Sequence, residues 1–531
     1  MRKPRTGIDR RNFIKGLGML AAAVSTQGTG RGAARGRVGK PNIVIILSDD
    51  VGYGDLSCYG ATHVHTPRID SLATEGLRFT DAHSDSATCT PSRYAMLTGT
   101  YAWRKDNVRI LPGDARMLIE PGQATIASVL KSVGYATGLV GKWHLGLGDG
   151  KIDWNGDIEP GPCEVGFDDA FFFPATADRV PTVYVHNHRV VNLDPKDPLY
   201  VSYDVKIGTD PTGKEDPELL KMKLSEGHDG TIVDGISRIG FESGGKTARW
   251  VDEEIAPTFT AKAVEFIEKN QHRPFLLYFT PSDIHVPRAP AAQFAGKNEC
   301  GVRCDVIDQL DWSVGQIIDT LRRLHLDEDT LVLFTSDNGP VVNDGYDDGS
   351  DRKLDGHKPA GPFRGGKYVI YEGGTTLPMI VRWKGRVAPA DSHALMTQVD
   401  LLASLATLVH AKIPKGAAVD SENALPALLG ESAHGRDRIV EEATVLAIRD
   451  GNWKLIDRSQ RPGVHTKVET HPDANAAIAN RSGSRKLPTA PVELYDISLD
   501  PGETNNVAAQ HPDVVERLRL ALEQLRMQSH S

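Results

Sequence analysis

The sequence predicts an α/β fold, with a large, mainly parallel β-sheet sandwiched by helices and a small antiparallel α+β subdomain at the C-terminus. Unbroken apolar runs such as residues 43–47 recur between helical segments, and these runs are typical of strands buried on both faces of a parallel sheet. Strands that alternate with helices are joined by right-handed crossovers. From about residue 436 hairpin signals replace this alternation, which predicts antiparallel pairing.

Length and composition limit the classes of protein to consider. A chain of 531 residues exceeds what one hydrophobic core fills, and its net charge of -9 argues against a nucleic-acid-binding protein, whose surface is basic. Five cysteines are too few for a disulfide scaffold. Cys300 and Cys304 are predicted either to form a local disulfide or to stay reduced, since no neighbouring Cys or His completes a metal site.

Residues 1–37 are similar to an export signal followed by a linker. Arg10 and Arg11 precede a weakly apolar run over residues 16–24, which is too short to span a bilayer. The pair resembles a bacterial twin-arginine signal, although Asp9 departs from the usual Ser or Thr, and a disordered basic tail is the alternative. We expect export to the periplasm or the outside of a bacterium, with no stable membrane anchor.

The main domain is predicted over residues 38–435. In chain order its elements are a strand at 43–47, a helix opened by Thr66 and Pro67 and closed by Gly76, a strand at 77–82, a helix at 121–133, strands at 135–140 and 275–279 with a helix at 257–269 between them, an amphipathic helix over 306–324, strands at 331–334 and 379–383, and a helix at 399–410. Residues 150–250 are rich in Pro, Gly and Asp. They predict a long insertion over the active face.

The C-terminal subdomain is predicted over residues 436–531. Asp450-Gly451 favours a tight turn between strands at 444–448 and 453–456. A strand at Leu494-Tyr495-Asp496 and an amphipathic helix at 513–527 complete it.

Four predicted strands, which end near residues 47, 140, 279 and 334, are each followed at once by acidic, basic or imidazole side chains. Ligand sites in parallel sheets lie outside the carboxyl ends of the strands. Helix caps would explain one such group of side chains. Four groups of complementary chemistry predict a single site.

A short helix is predicted after Cys89. Thr90 is a suitable N-cap, Pro91 suits the first helical position, and Gly99 is the stop. The thiol would then lie just outside a helix N-terminus that favours an anion, with Arg93 on the same face. A buried Cys packed under a helix cap is the alternative.

The string Cys89-Thr90-Pro91-Ser92-Arg93, followed by Leu97-Thr98-Gly99, resembles the signature of the formylglycine-dependent (type I) sulfatases, whose main domain is alkaline-phosphatase-like. In that family the Cys is oxidised to an aldehyde by a formylglycine-generating maturation enzyme. The segments 450–454 and 494–496 resemble the C-terminal part of the same family. The resemblance therefore covers nearly everything after the predicted export signal.

Oxygen donors follow two of the predicted strands: Asp49, Asp50, Asp337 and Asn338. Hard oxygen ligands suit Ca²⁺ or Mg²⁺ and would not select zinc, whereas either acidic pair alone is commonly a cap or a turn. The resemblance implies that these residues, together with the modified Cys89, bind one Ca²⁺.

The resemblance also implies catalytic roles for Cys89, Arg93, Lys142, His144, His285 and Lys367. Taken singly, each Lys is normally a solvated charge and His285 is normally a core histidine. Two glycines before Lys367 would let its loop approach a ligand closely. The aldehyde made from Cys89 would hydrate to a gem-diol whose hydroxyl, oriented by Arg93, attacks sulfur. Lys142 and Lys367 would hold the sulfuryl oxygens, His285 would protonate the leaving alcohol, and His144 would accept the proton that expels sulfate.

These expectations make the chain a sulfatase acting on sulfate monoesters, with a sulfated small molecule or saccharide as substrate. Sugar contacts are expected from the insertion and from the segment after His285, namely from His186, His188, Arg189, Pro287 and Arg288, although a bland surface loop explains each equally well. Two alternatives stay open. One is a phosphonate or phosphate monoester hydrolase on the same scaffold, and the other is a non-catalytic anion-binding protein with unmodified Cys89.

Overall fold

The computed structural model describes residues 40–106, 108–459 and 490–528. The predicted export signal lies outside the described residues. The strands are β1 (Asn42–Ser48), β2 (Leu77–Phe79), β3 (Ala82–His83), β4 (Ala136–Lys142), β5 (Asp169–Phe173), β6 (Val185–His186), β7 (Arg189–Val190), β8 (Tyr200–Ser202), β9 (Ile232–Val233), β10 (Ile236–Ser237), β11 (Phe241–Ser243), β12 (Phe275–Thr280), β13 (Thr330–Ser336), β14 (Met379–Arg382), β15 (Ala390–Ser392), β16 (Met396–Thr397), β17 (Arg438–Glu442), β18 (Leu446–Asp450), β19 (Trp453–Asp457) and β20 (Val492–Asp496). The α-helices are α1 (Pro67–Thr74), α2 (Cys89–Thr98), α3 (Ile126–Lys131), α4 (Ile255–Asn270), α5 (Val302–Arg323), α6 (Glu372–Thr375), α7 (Leu401–Leu408), α8 (Leu425–Leu428) and α9 (Pro512–Met527).

The main sheet has ten strands in the order β15-β2-β14-β13-β1-β12-β4-β5-β6-β7. Its centre, from β13 to β5, is parallel, because β1 pairs in parallel with both β12 and β13, and β4 pairs in parallel with β12 and β5. All seven residues of β1 are buried, as expected of a strand covered on both faces. The predicted fold class is confirmed.

Helices cover both faces of this sheet. Alternate residues of β1 enter two hydrophobic cores, with Ile43 packing on the side of α2, α3 and α7, and Val44 on the side of α1, α4 and α5. Each such aliphatic side chain contributes about 2 kcal/mol by leaving water. The sandwich therefore follows from apolar residues at consecutive positions of the strand.

The C-terminal sheet is antiparallel, in the order β17-β18-β19-β20, and α9 packs on it through buried Leu518 and Leu522. The predicted hairpin is confirmed, since β18 pairs with β19 and Gly451 in the turn has a φ of 56°. Strand β17, which the sequence analysis did not assign, forms one edge of this sheet.

Three predicted elements differ from the structure. The strand predicted at 77–82 is divided into β2, which joins the main sheet, and β3, which pairs with β16. The helix predicted at 121–133 is only Ile126–Lys131, because the Thr125 hydroxyl caps it by accepting from the Ser128 N–H and Gly122 turns left-handed before it. Part of the insertion, strands β5 to β7, extends the main sheet.

Cys300 and Cys304 form a disulfide, which resolves the alternative left open above. Within the described ranges, no helix is both long and apolar enough to cross a membrane.

Candidate active site

The predicted site residues lie at the end of the main sheet where its central strands terminate. Strands β13, β1, β12 and β4 are adjacent and parallel, so their carboxyl ends meet there. Side chains at or after these ends and on two neighbouring segments form what we call the Cys89 cluster: Asp49, Asp50, Cys89, Arg93, Lys142, His144, His285, Asp337, Asn338 and Lys367. All of them are buried.

Helix α2 begins at Cys89, one residue before the predicted N-cap, and Thr88 in an extended conformation precedes it. Pro91 is tolerated at the third position because the first N–H groups of a helix have no acceptor within it. The thiol consequently lies in the first turn, among these N–H donors. Gly99 ends the helix at a φ of 65°, as predicted.

Three carboxylates and one amide of the cluster face one another. The Asp50 N–H donates to Asp337 Oδ1 at 3.3 Å, and Asn338 Nδ2 donates to Asp50 Oδ1 at 2.7 Å. Asn338 Oδ1 is buried and has no hydrogen-bond partner. Ligand atoms of Asp49, Asp50 and His285 lie within 4.8 Å of one another. An oxygen-rich group with an unpartnered amide oxygen fits a hard cation such as Ca²⁺.

Each carboxylate of the cluster also contacts a cation. Lys142 Nζ donates to both oxygens of Asp49, at 3.0 and 2.9 Å. Lys367 Nζ lies 2.9 Å from Asp50 Oδ1, and Arg93 Nε donates to Asp337 Oδ2 at 2.8 Å. Pairing of this kind is what makes buried charges tolerable.

These contacts shift the pKa values of the paired groups. Burial raises the pKa of Asp337, but Arg93 and Lys142 outweigh it and leave that pKa below its usual value. Burial lowers the pKa of Lys367, but Asp50 and other neighbours hold it well above its usual value. Burial is the dominant effect at Cys89, where it raises the thiol pKa, although Lys142 and Lys367 act in the opposite direction.

The two imidazoles are held by backbone carbonyls. His144 Nε2 donates to Leu111 O at 2.9 Å, and its buried Nδ1 has no hydrogen-bond partner. Burial, Lys142 and Arg179 lower the His144 pKa well below its usual value, so the ring is neutral and Nδ1 is a proton acceptor. His285 Nδ1 donates to Val286 O at 2.7 Å, which leaves Nε2 turned to Asp50 Oδ2 at 3.8 Å.

Several backbone conformations at this end of the sheet are unusual. Asp50, His144 and Tyr368 have left-handed φ values of 62°, 56° and 75°. Each costs on the order of 1 kcal/mol and persists only where its surroundings hold it. Of the two glycines before Lys367, Gly366 packs against backbone, because a Cβ there would lie 2.4 Å from the Pro340 carbonyl oxygen, and Gly365 has a left-handed φ of 85°.

The residues expected to contact a sugar are bonded elsewhere. His186 pairs with Asp169, His188 with Glu164 and Arg189 with Asp157. Arg288, after Pro287, is buried, and its guanidinium donates to the Ile284, Val341 and Val342 carbonyls and to Asp348. The Arg288 guanidinium is fully used by contacts within the fold, so the expected sugar contact was wrong for Arg288, whereas for His186, His188, Arg189 and Pro287 it stays a prediction.

Sequence reasoning missed Asp178 and Arg179, which follow β5, and their partner His228. Arg179 Nη1 donates to Asp178 Oδ1 at 2.9 Å, and His228 Nε2 donates to Asp178 Oδ2 at 2.9 Å. The charge of Arg179 contributes to the lowered His144 pKa, so it acts on the Cys89 cluster. The Pro- and Gly-rich composition of the insertion carried no signal for them.

Comparison with known proteins identifies the family. The sulfatase family profile matches residues 41–411. N-acetylgalactosamine-6-O-sulfatase of Bacteroides thetaiotaomicron is 50% identical over 492 residues, covering 92% of this chain and 93% of its own, and human arylsulfatase A is 32% identical, covering 90% and 86%. A solved sulfatase structure from a study of glycosaminoglycan metabolism by Bacteroides thetaiotaomicron is 49% identical, covers 92% of this chain and 99% of its own, and superposes with a TM-score of 0.86. The chain belongs to the sulfatase family and is a sulfuric ester hydrolase.

Proposed function

We propose that this enzyme hydrolyses sulfate monoesters of carbohydrates, and that N-acetylgalactosamine 6-sulfate is the first substrate to test. The observation that carries the chemistry is the convergence of three carboxylates, three cations and two imidazoles beside Cys89. The choice of this sugar as substrate is supported by the N-acetylgalactosamine-6-O-sulfatase of Bacteroides thetaiotaomicron, to which the chain aligns over nearly the whole length of that relative.

One Ca²⁺ is the proposed metal, held by Asp49, Asp50, Asp337, Asn338 and the modified residue 89. The all-oxygen side chains and the unpartnered Asn338 Oδ1 support this assignment. When bound, the ion supplies positive charge that stabilises the sulfuryl oxygens in the transition state.

Residue 89 is proposed to act as formylglycine, made from Cys89 by a maturation enzyme, and it supplies the attacking hydroxyl. The remaining steps belong to neighbouring side chains. Lys142 and Lys367, whose ammonium groups lie beside Asp49 and Asp50, bind the sulfate oxygens, and Arg93 orients residue 89.

Proton transfer is assigned to the two histidines. A sulfate ester leaves as a poor alkoxide, so the departing oxygen needs an acid, and His285 Nε2 is the proposed donor because Nδ1 is held by Val286 O. His144 accepts a proton from residue 89 at Nδ1, the nitrogen that has no partner in the structure. The alcohol leaves when its oxygen–sulfur bond breaks, and removal of the proton by His144 then lets the carbon–oxygen bond to sulfate break, which releases sulfate and restores the aldehyde of residue 89.

Export by residues 1–37, and a main domain ending near residue 435, complete the proposal. Residues 10 and 11 carry the twin-arginine pattern, and the antiparallel sheet begins at Arg438. Replacing both arginines by lysine should retain the enzyme in the cytoplasm, as judged by fractionation of the cells.

A substrate panel tests the proposed activity. Enzyme produced together with a formylglycine-generating enzyme should release sulfate from N-acetylgalactosamine 6-sulfate faster than from the 4-sulfate, and should cleave nitrophenyl sulfate in preference to nitrophenyl phosphate. Preference for the phosphate would establish the phosphate monoester hydrolase instead. Binding of sulfated sugar without any turnover by fully converted enzyme would overturn the proposal.

A further inference from the structure

We propose that Arg179, held in place by Asp178 and His228, forms a subsite that binds hydroxyl groups of the sugar ring next to the scissile sulfate. This inference rests on the proposed carbohydrate substrate. It assigns recognition of the sugar to one guanidinium in the insertion and separates it from recognition of the sulfate.

The backbone brings Arg179 to the catalytic end of the sheet. Strand β5 lies beside β4, and the ladder continues past both strand ends, because the Trp143 and His144 N–H groups donate to Phe173 O at 3.2 Å and Pro174 O at 3.0 Å. The chain that leaves β5 therefore runs alongside His144. Burial lowers the pKa of Arg179, but Asp178, Tyr203 and Cys89 hold it above its usual value, which places this guanidinium within electrostatic range of the thiol.

Hydrogen bonds from one of its nitrogens, Nη1, fix the position of the Arg179 guanidinium. Its Nη1 donates to Thr176 Oγ1 at 2.7 Å and to Asp178 Oδ1 at 2.9 Å. Asp178 is buried, and although burial raises its pKa, Arg179, His228 and His285 hold the pKa well below its usual value, so it stays charged. An arginine held this way loses little further freedom when it binds a ligand.

His228 anchors the other side of Asp178. Its ring packs against Tyr346 with the ring centroids 4.8 Å apart, and the Tyr346 hydroxyl donates to Ser237 O at 2.7 Å. A Cβ at Gly345 would lie 1.9 Å from His228 Nδ1, so this close packing requires glycine there. Asp178, His228 and Tyr346 together hold the Arg179 guanidinium in place.

The front of the guanidinium remains available. The Arg179 side chain keeps 16% exposure, and in the described residues neither Nε nor Nη2 has a hydrogen-bond acceptor. In contrast, Arg288 is fully buried and bonded through all three nitrogens. Two parallel N–H donors suit adjacent oxygens of a sugar ring. Since Asp178 already balances the guanidinium charge, neutral hydroxyls are favoured over a second anionic group of the substrate.

Two substrates separate this role from general catalysis. Arg179→Ala and Arg179→Lys should lower kcat/KM for N-acetylgalactosamine 6-sulfate by about 10- to 100-fold, since hydrogen bonds to a charged group are lost. Turnover of nitrophenyl sulfate, which has no sugar hydroxyls, should fall far less, because only the effect of the Arg179 charge on the His144 pKa is lost. The control Arg323→Ala removes an exposed arginine of α5, paired with Glu268, and should change neither substrate.

Deoxy analogues of the sugar sulfate identify the bonded group. The analogue lacking the bonded hydroxyl should be a poor substrate of the wild type, yet the Arg179→Ala variant should turn it over as well as the complete sugar. Asp178→Asn should raise KM for the sugar sulfate much more than it changes nitrophenyl sulfate turnover, as expected of a positioning residue. Equal losses on both substrates in the Arg179 variants, or losses confined to saccharides with a second anionic group, would overturn the subsite. Absence of sulfatase activity in the wild type would instead refute the proposed function.

Discussion

The Cys89 cluster and a second buried group of charges, the Lys454 cluster, differ in what their polar atoms contact. The Lys454 cluster comprises His83, Glu372, Glu441, Lys454 and Glu503. Its ammonium lies 2.8 Å from Glu372 Oε1, 2.9 Å from Glu441 Oε2 and 3.6 Å from Glu503 Oε1. One cation is thus shared among three carboxylates of the same protein.

The Cys89 cluster keeps open positions. Asn338 Oδ1, His144 Nδ1 and Arg93 Nη2 are buried without hydrogen-bond partners. Each such atom costs about 1–3 kcal/mol unless a ligand satisfies it. The His83, Glu372 and Glu441 ligand atoms are also close enough for a metal, but Lys454 already bridges both glutamates. Two oxygens of the Lys454 cluster, Glu441 Oε2 and Glu503 Oε1, also have no hydrogen-bond partner, but the Lys454 ammonium lies 2.9 and 3.6 Å from them. Unpartnered neutral atoms, namely Asn338 Oδ1 and His144 Nδ1, therefore distinguish the site that acts on a substrate.

Backbone hydrogen bonds join the C-terminal sheet to the segment before Cys89. The Ala87 N–H donates to Glu442 O of β17 at 2.8 Å, and the Tyr368 N–H donates to Ala87 O at 2.8 Å. The C-terminal sheet is thereby bonded to the segment before Cys89 and, through it, to the loop that carries Lys367.

The largest effect is expected from Cys89→Ala. Turnover should fall by about 10⁴-fold or more, because the nucleophile is lost. The variant should keep its thermal unfolding temperature within a few degrees, as measured by calorimetry, since a thiol is replaced by a smaller apolar group. Full turnover would refute the assignment of the nucleophile.

Lys454→Ala should show the opposite pattern. Removing the ammonium leaves buried carboxylates unpaired and should lower the free energy of unfolding by about 3–5 kcal/mol, measured by urea denaturation. The fraction that remains folded should turn over sulfate esters at close to the wild-type rate. Lys384→Ala, which removes an exposed lysine paired with Asp327, is the matched control and should cost less than about 1 kcal/mol. A variant as stable as the control would contradict the stabilising role of Lys454.

The Lys454 cluster should also make stability depend on pH. Burial lowers the pKa of His83, but Asp81 and Glu441 raise it to about 9, above the unfolded value of 6.5. Protonated His83 therefore contributes about 3 kcal/mol to the free energy of unfolding. This contribution is complete below pH 6.5 and is lost as pH rises to about 9. The free energies of unfolding of the wild type and of His83→Gln, measured by urea denaturation at a series of pH values, should converge over this range. A constant difference between them would exclude His83 as the titrating group.

The smallest expected effect is that of Ca²⁺ on stability. At 100 times its dissociation constant the ion should stabilise the wild type by about 2.7 kcal/mol. Asn338→Ala should lose this increment, because its amide oxygen is a proposed ligand. Calorimetry with Ca²⁺ and with chelator measures both. If Asn338→Ala kept the full increment, the ion would have to bind elsewhere.

The sequence was sufficient for the centre of the fold and for the Cys89 cluster. Apolar runs such as β1 are recognisable because both faces are buried, and Asp49 or Asp337 follows such a run directly. The family signature then connected these positions with Cys89 and Lys367, which are distant in sequence.

Other features depend on tertiary contacts that leave no local pattern. Lys454 resembles any solvated lysine until β19 places it among glutamates from other elements. Arg179 lies in an insertion without periodicity, and its environment is created by His228, 49 residues later in the chain. The left-handed backbone of Asp50 and His144 is likewise imposed by neighbours, since neither residue type demands it.

The measurement that tests the central claim most directly is the state of residue 89 in active enzyme. Mass spectrometry of the peptide containing residue 89, taken from preparations with different degrees of maturation, should show aldehyde in proportion to the rate of sulfate release. Full sulfatase activity in a preparation that retains only the Cys89 thiol would contradict the account.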